Sequence, residues 1–243
     1  MSRFRRQLLG LVALVLAAIA IRLGAWQLDR LGERRDRNAV LAAARALPTL
    51  QWGDTATAGL PAPGRRLQAR GRFLEAGEVI LRSRVHREAP GVHVVTRFEV
   101  ANGGGTLWVL RGFAAAADGV HPGPIPAPVP GTVIVAGELQ ALPTTSDGGQ
   151  PLVAGGDTTW RRFDSTLARR RDPAAAPLLL YLEGGVDGPG QLPAVEPPAL
   201  DEGPHLSYAL QWFGIALAIL AFAFVIALRR PSDRGPLRPG AAP

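Results

Sequence analysis

The chain contains no cysteine and no lysine, and only one methionine, in 243 residues. Without cysteine there can be no disulfide, no thiolate metal site, no cysteine nucleophile and no covalently attached c-type haem. All 27 basic residues are arginine, a usage that reflects a GC-rich genome rather than a function. The common catalytic signatures are also missing: there is no G-x-S-x-G, no P-loop, no H-E-x-x-H and no G-x-G-x-x-G. Gly103, Gly104 and Gly105 read as a turn, because no helix start follows them to cradle a phosphate. Histidine is sparse, at positions 86, 93, 121 and 205. His86 and His93 fall on different predicted strands, and two imidazoles with no placed third ligand read as strand-surface residues rather than a metal site. Carboxylates are scattered, with no pair that spacing brings together, and nothing in this pattern argues for an enzyme.

What is present first is charge, and its location matters more than its sum of +7. Residues 29–205 hold 19 Arg and 19 acidic residues, so that long middle is neutral. The remaining eight Arg (3, 5, 6, 22, 229, 230, 234 and 238) and one acid, Asp233, account for the whole excess. A nucleic-acid binder carries its excess on a folded face, so that reading is discarded and no nucleic-acid partner is expected. Arginine concentrated beside apolar segments is the positive-inside pattern. It predicts both termini in the cytoplasm and the middle outside, in a multi-pass protein of the cell's inner (plasma) membrane with a periplasmic or extracellular central domain.

The two apolar segments are residues 8–28 and 206–228. The second has 23 residues without a charge, a helix of about 34 Å against a hydrocarbon core of about 30 Å. Arg229 and Arg230 stop it and Pro231 ends it. Its outer end carries His205, Ser207, Tyr208, Gln211 and Trp212, of which His205, Tyr208, Ala209 and Trp212 share a helical face. Interfacial Tyr and Trp suit an anchor, whereas an imidazole at that level is not needed for one. His205 is therefore either a functional group or a solvated, loop-bonded residue. The first segment follows Arg3, Arg5 and Arg6, includes Arg22, which can snorkel outward, and closes on Trp26 as a belt residue. A cleaved signal peptide, with Ala18-Ile19-Ala20 as its site, is the rival reading. Gly10, Ala13, Ala17, Ala20 and Gly24 recur at alternating steps of three and four. That stripe of small residues, with Ala209, Ala216 and Ala223 opposite, predicts a packed two-helix hairpin.

The middle divides further. Residues 29–66 read as an outward helical extension and a loop, residues 67–183 as one β-rich domain, and residues 184–205 as a Gly/Pro-rich tether. Residues 1–7 and 229–243 are the cytoplasmic ends. Strands are expected over 67–73, 78–85, 91–101, 106–113, 132–139 and 178–183, with a short extended piece at 159–163. Asp164 is placed as the N-cap of a helix over 165–171. Residues 120–130 are too rich in proline for anything but an irregular crossing. The expected fold is a membrane protein: two transmembrane α-helices flanking one extracytoplasmic β-rich (α+β) domain, a small barrel or sandwich. Arg82, Arg84 and Arg97 alternate with apolar neighbours and predict a polar face, able to pair with glutamate, an acidic partner or haem propionates.

Several stretches taken in order carry a resemblance. They are G-A-W-Q-L-D-R at 24–30, R-G-R-F at 70–73, G-V-H-V-V-T at 91–96, L-W-V-L-R-G-F at 107–113 and H-L-S-Y-A-L-Q-W-F at 205–213. With the two-span layout they resemble the Surfeit locus protein 1 (Shy-one) family over roughly residues 24–228. The family's usual V-N-R-G-W stands here as V-L-R-G-F, and the crossing after Asp118 is degenerate, which puts any role of that turn in doubt. The resemblance implies a non-enzymatic assembly factor for haem-copper cytochrome c oxidase, acting where haem a enters the largest subunit. It implies that subunit and the membrane as partners, the haem a synthesis machinery as a further one, and haem a as a transient cofactor. It makes His205 the iron ligand. Tyr208 and Trp212 would wall a porphyrin, and Trp26 and Arg22 would close the other side, with Arg22 pairing a propionate. Two alternatives stay open: a structural scaffold that never touches haem, and a membrane-tethered extracytoplasmic enzyme.

Overall fold

A computed structural model of the chain describes residues 3–52, 60–74, 77–144, 151–154, 156–184 and 191–228. Arg229, Arg230 and Pro231, the rest of the C-terminal tail, the middle of the 143–157 loop and residues 185–190 of the tether lie outside the described residues. The chain divides into two compact units, residues 1–38 with 201–243, and residues 39–200.

The first unit is a pair of helices. α1 runs Arg3–Arg45 and α3 runs His205–Leu228. Both are long and apolar enough to cross a membrane. α1 continues without a break from the apolar segment through the polar residues after Leu28 to Arg45. The small-residue stripe is where the helices meet. Ala17, Ala20, Ala209 and Ala216 are buried in the pair, while Leu14, Leu16, Leu217 and Phe222 remain exposed to the surroundings.

The second unit holds nine strands among the described residues: β1(Leu50–Trp52), β2(Arg66–Phe73), β3(Val79–His86), β4(Ala89–Val100), β5(Thr106–Ala115), β6(Val133–Ala141), β7(Leu152–Ala154), β8(Asp157–Trp160) and β9(Leu178–Leu182). The helix α2(Ser165–Arg171) starts where the sequence placed it, with the Asp164 carboxylate accepting from the Leu167 amide at 2.8 Å. Five of the strands close a barrel in the order β2-β6-β9-β5-β4, β4 returning to β2. Closure happens at Gly71, which pairs with Val133 on one side and Val100 on the other. A Cβ there would stand 2.1 Å from the Glu99 carbonyl oxygen, so only glycine lets the two strands approach.

Period-two alternation fills the barrel. Leu67, Ala69 and Phe73 on β2, Phe98 and Val100 on β4, Leu107 and Val109 on β5, Val135 and Leu139 on β6, and Leu178, Leu180 and Leu182 on β9 form one core. A second core lies outside the wall. There Val79, Leu81, Val95, Trp108, Leu110 and Leu179 are covered by Trp160, Phe163, Leu167 and Ala168, the lead-in and inner face of α2. β5 borders both cores, which explains the unbroken burial from Leu107 to Phe113. The β4–β5 ladder carries a bulge at Arg111 of β5, between the Val94–Gly112 and Val95–Leu110 pairs, and β4 continues the sheet through β3, β8 and β7 as an open wing.

The Pro-rich crossing is irregular, as expected, and is tied down by a buried ion pair. Arg111 donates to Glu78 at 2.5 Å and to the Pro126 carbonyl at 2.6 Å, while Thr96 donates to the same glutamate. The described part of the tether, residues 191–200, is also fastened. The Phe113 amide donates to the Pro193 carbonyl at 2.9 Å, Val195 packs on the second core, and Arg45 donates to the Pro198 carbonyl at 3.0 Å.

Candidate functional site

The stripe on α1 decides where the site is. Continued past Gly24 at the same alternating steps, it reaches Gln27, Leu31, Arg34 and Asn38. Leu31 is buried, and the three polar positions each bond to the approach of α3. The Gln27 carboxamide oxygen lies 2.8 Å from His205 Nδ1. Farther along α1, Arg34 donates to the Asp201 carboxylate at 3.0 Å and Asn38 donates to the Asp201 carbonyl at 2.8 Å. Arg35 holds Glu202 with two parallel bonds of 2.8 and 2.9 Å. These guanidiniums hold the Asp201 and Glu202 carboxyls below the usual carboxylate range, chiefly through the hydrogen bonds themselves. Such exposed pairs each contribute little to stability, because water screens them. Together they fix where the chain enters α3.

That entry is tight. Pro204 accepts from the Tyr208 amide at 3.1 Å and from the Ser207 hydroxyl at 2.8 Å, closing the first turn. His205 is half-buried at the start of α3, above Ala209, Trp212 and Ala216 on one stripe. Below it the helices are in contact. Gly24 is buried, and a Cβ on it would lie 2.6 Å from the Phe213 ring.

An acceptor at Nδ1 makes His205 protonated there, leaving the lone pair on Nε2. The space beside that nitrogen is kept open by glycine, since a Cβ at Gly203 would sit 3.5 Å from Nε2 and 3.3 Å from Cδ2. A half-buried imidazole with Nδ1 bonded to Gln27 is a nitrogen donor of the kind haem iron takes.

The other expected residues are distributed around this point. Tyr208, Trp26 and Arg22 are exposed on their helices, and Trp212 is half-buried. Among the described residues no ring contact or ion pair joins any of the four to His205. Of the candidates, the structure brings His205 to α1, and it does so through Gln27, which lies within the G-A-W-Q-L-D-R stretch at 24–30. The signal was available: Gln27 is the next step of the small-residue stripe and the first polar one.

His86 and His93 belong elsewhere. They stand either side of Phe113 on the β-rich unit, with ring centroids 5.3 and 6.4 Å from it. Burial, then Arg84, then His86 push the His93 pKa down to about 4. Among the described residues no group of three or more potential metal ligands forms. The expected polar face of arginines is used for fastening. Arg82 and Arg84 donate to the carbonyls of Thr159 and Arg161, each at 2.7 Å, and Arg97 approaches Asp172.

Two apolar helices flanking a β-barrel domain, with an imidazole fixed between the helices, define a membrane-anchored protein with one large central domain. Residues 14–217 match the SURF1 family, and the chain belongs to it. Similar relatives are uncharacterised SURF1-like proteins of Mycobacterium bovis (strain ATCC BAA-935 / AF2122/97) and of Mycobacterium tuberculosis strains CDC 1551 / Oshkosh and ATCC 25618 / H37Rv. Each is 32% identical over 183 residues. The match covers 71% of this chain and 65% of the length of those relatives, just under two thirds.

Proposed function

We propose that this chain is a non-enzymatic assembly factor for haem-copper cytochrome c oxidase, assisting the delivery of haem a to the largest subunit. Membership of the SURF1 family is consistent with an oxidase-assembly role. The observation that carries the finer reading is the His205–Gln27 bond, which engages Nδ1 and leaves Nε2 out of that bond. His205 would hold the iron, with Tyr208 and Trp212 beside the porphyrin and Trp26 and Arg22 facing it from α1. When bound, the haem supplies only its own redox-active iron, because an assembly factor has to release its cargo unchanged. The chain's part is to orient one imidazole nitrogen at the bilayer interface.

The protein would sit in the cell membrane with both termini cytoplasmic, on the strength of the arginines at its ends. Reporter fusions at Pro243 and at Gly148 should then report opposite sides, and the same side for both would reject the topology. For the function itself, deletion of the chain from its host should lower the haem a content of the oxidase, and the largest subunit should co-isolate with the tagged protein. Normal oxidase in the deletion strain would reject the assembly role. A scaffold role without haem is favoured by one observation, the polar clasp of Arg34, Arg35 and Asn38 on Asp201 and Glu202, which locks the junction without needing a ligand.

A further inference from the structure

We infer that Gln27 is the residue that decides which nitrogen His205 presents, a positioning role set by a hydrogen bond between the two membrane helices. The inference deepens the haem reading above, but it concerns only the protein's own tautomer.

The reasoning starts from packing. From Gly10 to Leu31 the α1 stripe is glycine, alanine and leucine at every step except Gln27. A carboxamide on an apolar helix-helix seam costs free energy unless it finds a partner there. Its partner is the one titratable side chain on the facing seam of α3, at 2.8 Å. A single polar residue on such a seam fixes helix register. Here it also fixes a proton. With its oxygen turned to the ring, Gln27 accepts, the imidazole donates from Nδ1, and its second nitrogen is left as a base.

Among the described residues, Gln27 is the imidazole's hydrogen-bond partner. Gly203 places no side chain against the Nε2 edge, and the Arg34–Asp201 and Arg35–Glu202 pairs are spent on each other rather than on His205. A free imidazole in water prefers its proton on Nε2, the reverse of what the Gln27 acceptor imposes. Gln27 therefore holds His205 in the tautomer that is the minor one in water and the competent one for coordination. The same arrangement of an outer acceptor behind a ligating histidine raises metal affinity by 10–100-fold where it has been removed and compared.

The experiment is nitrogen-15 NMR of the full-length protein, histidine-labelled, in detergent micelles, with His205→Ala identifying the His205 signals. The wild type should give a protonated Nδ1 and an unprotonated Nε2. Gln27→Leu keeps the seam apolar and the helices paired, and should move His205 towards the Nε2–H form. Gln27→Glu, which still offers an acceptor oxygen, should restore the wild-type pattern. A wild-type His205 protonated on Nε2, or a tautomer unchanged in Gln27→Leu, overturns the inference. Titration with haemin separates this from the haem reading. If the tautomer switches and wild-type affinity exceeds that of Gln27→Leu by about 10-fold or more, both stand. If the tautomer switches and the wild type does not bind haemin, the haem reading fails and the positioning role of Gln27 is upheld.

Discussion

Phe213 of α3 lies flat against Gly24 of α1, so close that a single added carbon on the glycine would come within 2.6 Å of the ring. This contact is the point of nearest approach for which a side chain has no room in the helix pair. It sits one helical turn from Gln27, so it controls whether that residue reaches His205.

Gly24→Ala should therefore separate the helices, with a cost of about 1–3 kcal/mol from overpacking. Phe213→Leu in the same chain should relieve it. Because the chain has no cysteine, one cysteine placed on each helix at exposed Val15 and Leu220 gives a clean pair of spin labels. The measured distance should lengthen and broaden in Gly24→Ala and recover in the double variant. An unchanged distance in Gly24→Ala would show that the contact does not set the spacing.

Gly112 occupies a corresponding position in the barrel unit. A Cβ there would lie 2.5 Å from the Pro193 carbonyl oxygen and 2.7 Å from the Leu192 Cβ, next to the Phe113–Pro193 hydrogen bond. Gly112→Ala should lift residues 191–200 off β5. A protease of broad specificity is expected to cleave that segment many times faster in the variant, while the barrel strands stay resistant. Equal cleavage rates would mean the segment is not held by this contact.

His93 should give the barrel unit a pH dependence with a defined sign. Its folded pKa is about 4, against an ordinary value of about 6.5. Between those values the unfolded chain binds a proton that the folded chain does not, so stability falls as pH is lowered from about 6.5 to about 4. It is constant above that window on this group's account. His93 is half-buried, so water screens part of the charge and the loss is about 2 kcal/mol. Denaturant midpoints measured across the window should show the slope in the wild type and lose most of it in His93→Gln. A slope unchanged in the variant would assign it to other groups.

Much of this architecture could be read from the sequence because it follows from strong local patterns. The two spans are long apolar runs, β2 alternates with period two, and Asp164 caps α2 as a short polar residue before a helix should. The misses have local causes too. β1 and β7 are three residues each and carry no period long enough to detect. The barrel's closure depends on Gly71 bringing β2 against β4, a pairing between residues 25 to 29 positions apart that no local signal encodes. At the site, His205 stood out as an imidazole where an anchor needs none. Gln27 did not, because glutamine is ordinary at a membrane interface and its meaning comes from a residue 178 positions away. Only extending the small-residue stripe by one step would have placed it on the packing face.

The most direct measurement is haem binding by the purified protein in detergent with and without the His205 side chain. The wild type should bind haemin with a spectrum of histidine ligation. His205→Ala should reach the membrane at normal levels, since the apolar run of α3 is untouched, yet lose that spectrum and the affinity with it. His86→Ala, on the β-rich unit, should bind as the wild type does. A His205→Ala protein that binds haemin with unchanged spectrum and affinity would contradict the assignment of this imidazole as the iron ligand.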